Sequence, residues 1–221
     1  MHKQVNAISG RLSLRPPQRT SLEMLDRVME IAQPHKSSDA AAALTTIQSE
    51  FPTVTSFERD FPSLCFALAT GVGKTRLMGA FISYLHLAHG LRNFFVLAPN
   101  LTIYDKLIAD FTPNTPKYVF KGIAEFVATL PILVTGENYE SGVGARPTLF
   151  AGYGNEITIN IFNIAKINSE VRGGKAPRIK RLSEYIGDSY FNYLASLPDL
   201  VLLMDESHRY RASAGARAIN E

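Results

Sequence analysis

The stretch Ala69-Thr70-Gly71-Val72-Gly73-Lys74-Thr75 constrains this chain more than any other. Before it runs a continuously apolar segment, Pro62-Ser63-Leu64-Cys65-Phe66-Ala67-Leu68-Ala69. After it, Leu77, Met78, Phe81, Ile82 and Leu85 recur at helical spacing until Gly90. An apolar run without polar alternation predicts a central strand buried on both faces, and a glycine after the last periodic residue predicts a helix end. Strand, glycine turn and helix in succession are the unit from which parallel sheets are built.

The same alternation continues downstream. Asn93 to Ala98 (NFFVLA) predicts a strand and Leu101 to Phe111 a helix. Pro131 to Thr135 predicts a short strand, and Gly136 to Asn155 a glycine-bearing loop. Ile157-Thr158-Ile159-Asn160-Ile161-Phe162 alternates apolar and polar residues, the pattern of another strand. Val171 to Pro177 reads as a connector, and Leu182, Ile186, Tyr190 and Leu194 follow at four-residue spacing. Leu200 to Met204 predicts a buried strand that runs straight into acids.

Upstream of the glycine loop, helical spacing appears twice. Leu22, Leu25, Met29 and Ala32 follow Pro16-Pro17 and stop before Pro34. A second helix is expected from Asp39, its cap, to Glu50. The expected class is therefore α/β with a mainly parallel central sheet. At 46% hydrophobic and 19% charged, the 221 residues can bury a sizeable core.

The loop residues suit one chemistry. Gly71 and Gly73 let the backbone curl around an anion with no side chain in the way. Successive N–H groups and the positive end of the following helix then face phosphate. Lys74 adds a point charge for the β- and γ-phosphates, and the Thr75 hydroxyl is placed to ligate magnesium. Thr70, Val72 and Arg76 complete the candidate nucleotide-binding set. The implied cofactors are ATP and Mg2+.

Far downstream, the apolar Leu200 to Met204 run ends in Asp205-Glu206-Ser207-His208. Two carboxylates at a buried strand end need compensation, because burying unpaired charge is costly. Beside a phosphate loop the compensation is a hydrated magnesium ion. Asp205 is the candidate metal ligand, and Glu206 the base that orients and deprotonates the attacking water. Lys74, Asp205 and Glu206 form the candidate catalytic set.

These residues carry a family resemblance. The glycine loop resembles motif I of superfamily-two helicases, and Asp205-Glu206-Ser207-His208 resembles the DExH form of their motif II. Leu68 stands where the general loop consensus has a glycine, a departure that the helicase variant tolerates. Leu14-Arg15-Pro16-Pro17-Gln18 resembles the upstream segment whose glutamine reads adenine, which makes Gln18 the candidate adenine contact. Val96-Leu97-Ala98-Pro99-Asn100 resembles motif Ia, and Ile161-Phe162-Asn163-Ile164-Ala165-Lys166 resembles a segment preceding motif II. The chain looks most like the motor (Res) subunit of type III restriction enzymes and related defence helicases, from about Leu14 to the end.

The resemblance implies a RecA-like P-loop NTPase lobe, a three-layer sandwich over residues 1–221, with residues 1–60 a helical lead-in that holds the adenine-reading segment. It implies ATP hydrolysis coupled to movement along nucleic acid, more often double-stranded DNA. Pro99, Asn100 and Asn163 become candidate nucleic-acid contacts, and His208 a coupling residue. Such motors work with a second RecA-like lobe whose arginines complete the site, and with nuclease or modification subunits. The sequence ends at Glu221, so the expectation is one lobe of a longer protein, the second lobe absent. An isolated lobe is expected to bind nucleotide weakly and hydrolyse it poorly. The competing function is a P-loop switch or remodeller that never acts on nucleic acid; a third is a module that uses ATP only to fold.

The remaining features are weaker. Arg172, Lys175, Arg178, Lys180 and Arg181 form a basic run that suits a nucleic-acid groove or a solvated helix face. His86 and His89 have no cysteine or carboxylate beside them in their helix, which argues against zinc. The single cysteine, Cys65, excludes an internal disulfide and reads as a small residue of a buried strand. The net charge of +3 permits a polyanionic partner without requiring one. No apolar run reaches the roughly 18 residues of a membrane span, and Met1 to Val5 has no signal-peptide core, so the expected location is cytoplasmic.

Overall fold

The computed structural model describes residues 3–143, 156–164, 178–181 and 188–206. It divides into two compact units, Met1–Gly90 and Leu91–Ile219.

In the described residues of the first unit the regular elements are helices. They are α1 (Lys3–Arg11), α2 (Pro16–Ala32), α3 (Ala40–Glu50) and α4 (Lys74–His89). Helix α2 starts as its sequence demands. Arg15 is held extended by the proline that follows, and Pro16 and Pro17 fill first-turn positions whose N–H groups would have no helical partner. Helix α3 is capped by Asp39, which accepts from the N–H groups of Ala41 and Ala42 at 2.9 and 3.2 Å. Helix α4 is buried without interruption from Leu77 to Leu85, as befits a helix apolar on more than one face. Helices α1 and α2 both pack against it. The hydroxyl of Tyr84 donates to Asp26 at 2.8 Å, and His89 Nε2 lies 3.0 Å from the same oxygen.

The expected strand over Pro62 to Ala69 does not form. The segment has no regular structure, its residues are half-buried or exposed, and Cys65 is exposed rather than buried. A strand exists only as part of a ladder, and the described residues of this unit offer no strand edge. Helix α1 was not expected.

The second unit is built on a sheet. Its elements are β1 (Asn93–Ala98), α5 (Leu101–Phe111), α6 (Ala124–Ala128), β2 (Ile132–Thr135), β3 (Thr158–Asn163), α7 (Tyr190–Ser196) and β4 (Leu200–Met204). All strand pairs are parallel, in the order β2-β3-β1-β4. Helix α5 lies against β1 and β3. Phe95 and Leu97 of β1 face Phe162, Tyr139, and Tyr190 and Leu194 of α7. Phe94 and Val96 point to the opposite face, also buried.

Two sheet expectations change. Strand β3 was read as half-exposed, yet it is buried throughout, Thr158 and Asn160 included. Asn160 tolerates this because its Nδ2 donates to the Phe94 carbonyl at 3.0 Å and its Oδ1 accepts from the Tyr190 hydroxyl. Strand β4 was read as buried, yet all five residues are half-buried. Among the described residues it pairs with β1 alone. Asp199, just before β4, accepts from the Arg92 N–H at 2.8 Å and from Asn93 Nδ2 at 2.6 Å, tying the starts of β4 and β1 together. Of the expected helix through Leu182 to Leu194, α7 covers the end; residues 182–187 and the 171–177 connector lie outside the described residues.

Candidate functional site

The candidate residues fall into two groups, one in each unit.

The first group is the glycine loop. Gly71 and Gly73 both adopt left-handed backbone, with φ of +81° and +94°. Around Gly71 an added Cβ would meet nothing within 4 Å, so the backbone angle alone demands glycine there. At Gly73 an added Cβ would also lie 2.7 Å from Gln18 Nε2. Gly73 caps helix α4 without a side chain. The N–H groups of Arg76 and Leu77 both turn back to its carbonyl at 3.0 and 3.2 Å. The N–H groups of Lys74 and Thr75 therefore open the helix with no capping side chain over them, the arrangement that receives an anion. Lys74 and Thr75 are half-buried, and Thr70 and Arg76 are exposed.

Gln18 joins this group. It is 1% exposed, and its Nε2 donates to the carbonyls of Val72 at 3.0 Å and Gly73 at 2.9 Å. Its Oε1 accepts from the Arg15 N–H at 2.8 Å. Arg15 Nη1 in turn donates to the Gly71 carbonyl at 3.3 Å. Arg15 was not singled out from the sequence; no local pattern announces a contact to a loop so far along the chain.

The second group lies at the carboxyl ends of the parallel strands, where open α/β sheets bind their ligands. The register aligns Ala98 with Asn163 and Leu97 with Met204. The Asp205 N–H continues the ladder to the Leu97 carbonyl at 3.3 Å. Asp205 and Glu206 thus emerge beside Pro99 and Asn100, and both acids are half-buried. Glu206 has a left-handed backbone, with φ of +53°, an unusual state for a residue with a side chain. Asn100 caps α5, its Oδ1 accepting from the Ile103 N–H at 2.9 Å. Asn163 is fully buried, which leaves Pro99 and Asn100 as the solvent-reaching members of the candidate nucleic-acid set. His208 lies outside the described residues, as do Arg172 and Lys175 of the basic run.

A glycine loop opening a helix, and an acidic end to a parallel strand, define a RecA-like P-loop NTPase domain of helicase type. The description "type III restriction enzyme, res subunit" matches residues 11–221, nearly the whole chain, and the chain belongs to that family. It is a helicase-like ATP-binding domain. Neither curated proteins nor solved structures returned a match. No helix among the described residues is long and apolar enough to cross a membrane.

Proposed function

We propose that this domain is the ATP-binding lobe of a motor that hydrolyses Mg-ATP to move along double-stranded DNA, in a type III restriction or related phage-defence enzyme. The observation that carries the proposal is the pair of left-handed glycines leading into the uncapped start of α4. That backbone presents amides to phosphate, and Lys74 stands at the first helical position to meet the same charge.

In this reading Thr75 and Asp205 hold magnesium, which neutralises charge on the β- and γ-phosphates. Glu206 orients water and takes its proton. Pro99 and Asn100 line the approach of the nucleic-acid backbone. A second lobe and nuclease or modification subunits would complete the enzyme, working in the cytoplasm.

The test is ATP turnover by the protein that carries this domain, with and without duplex DNA. Lys74→Ala and Glu206→Gln are expected to abolish turnover, while Glu206→Gln still binds ATP. DNA that leaves the rate unchanged would favour a switch or remodeller that does not act on nucleic acid.

A further inference from the structure

We infer that Gln18 is a positioning residue that acts on nucleotide through the phosphate loop, not through the base. The inference rests on the nucleotide-binding reading of the glycine loop. Both hydrogens of the Gln18 amide are committed, one to the Val72 carbonyl and one to the Gly73 carbonyl. Its oxygen accepts from the Arg15 N–H. With 1% of its surface exposed, the side chain offers no free donor to an adenine ring. It can reach a base only by abandoning the loop.

The consequence for the loop follows from peptide geometry. A carbonyl and the N–H of the next residue point to opposite sides of their shared peptide plane. Holding the Val72 carbonyl toward Gln18 therefore turns the Gly73 N–H away from it. Holding the Gly73 carbonyl does the same for the Lys74 N–H. Arg15 Nη1 repeats the device one residue earlier, at the Gly71 carbonyl. Three successive carbonyls are fastened by the start of α2, so the amides that would meet phosphate are set before any ligand arrives. Such preorganisation strengthens binding by removing an ordering cost.

The missing room at Gly73 belongs to the same device. An added Cβ there would strike the amide nitrogen of Gln18, so the close approach of the two residues requires glycine. The Gln18 amide acts on a part of the ligand that all nucleoside triphosphates share. Its contribution is therefore the same for every base.

Binding of ATP, GTP and inorganic tripolyphosphate, each with magnesium, to the full chain tests this. Gln18→Met keeps the volume and removes both donors. It is expected to weaken all three ligands by a similar factor, on the order of tenfold for two ordinary hydrogen bonds. The melting temperature without ligand should move little, because the half-buried or exposed loop gives its carbonyls water in exchange. Loss confined to ATP would make Gln18 a base reader and overturn the inference; so would undiminished binding of all three. A fall in melting temperature with unchanged affinity would also overturn it, leaving Gln18 a structural residue only.

Should Gln18→Met not fold, the wild-type chain decides by nuclear magnetic resonance. The Gln18 side-chain amide signals should respond alike to all three ligands, whereas a response to ATP alone overturns the inference. Lys74→Ala separates the two levels. If neither wild type nor Lys74→Ala binds any triphosphate, the nucleotide-binding reading fails. If Lys74→Ala loses binding while Gln18→Met does not, only the role of Gln18 fails.

Discussion

The Tyr84 hydroxyl donates to Asp26 Oδ1 across 2.8 Å, and both side chains are buried, so the bond joins α4 to α2 inside the core of the first unit. Removing a donor from a buried acceptor costs more than the bond itself contributes, about 1–3 kcal/mol. Tyr84→Phe is therefore expected to destabilise the chain by an amount in that range, read from urea midpoints. A midpoint equal to wild type would show that Asp26 does not depend on this donor.

Alkaline pH should unfold the chain through its buried tyrosines. Burial pushes the Tyr118 hydroxyl up to about 12. Burial, then the hydrogen bond to Asp26, raises Tyr84, and burial raises Tyr190. A pKa raised by folding means that the folded state holds the proton more tightly. The stabilisation is complete below the unfolded value of about 10 and is lost as pH climbs through the folded one. For Tyr118 the window runs from about pH 10 to about 12. Tyrosinate absorbance should rise together with loss of circular dichroism; a normal titration ahead of unfolding would contradict the burial.

The stacked rings of Phe95 and Phe162, with centroids 5.2 Å apart, fasten β1 to β3 on the Tyr190 face. Phe162→Ala leaves a cavity where Tyr139 and Tyr190 also pack. The expected loss is about 3–5 kcal/mol, measurable by calorimetry. A loss near zero would mean that the neighbouring rings close the space.

Glu206 occupies left-handed backbone, which costs an L-residue roughly 1–2 kcal/mol. Glycine is relieved of that cost and a β-branched residue suffers it most. Glu206→Gly is expected to be more stable than Glu206→Val by about that difference, while neither turns over ATP. Equal denaturation midpoints for the two variants would remove the backbone from the explanation.

Much of this was legible in the sequence. Pro16-Pro17, Asp39 and Gly90 marked helix ends because each acts on its own backbone within a turn. The glycine loop was legible for the same reason. What escaped depended on distant partners. Pro62 to Ala69 has the composition of a strand, but composition supplies no ladder. The polar residues of β3 seemed to face water because nothing local shows that Tyr190 and the Phe94 carbonyl will satisfy Asn160. Gln18 was read for a base, while its contacts to the loop span 54 and 55 residues of sequence. Helix α1 carries few apolar residues, and only burial of Val5 and Ile8 makes it part of the core.

Asp199 grips the Arg92 N–H and Asn93 Nδ2 at the opposite end of β4 from the acids. Side chains alternate along a strand, so a slip of one residue would exchange the two faces of β4 and carry Asp205 about 3.3 Å along the sheet. The position of the acids is thus gauged from a datum one strand-length away. An error at Asp199 would appear as a misplaced ligand at Asp205, with every residue near the phosphates still correct.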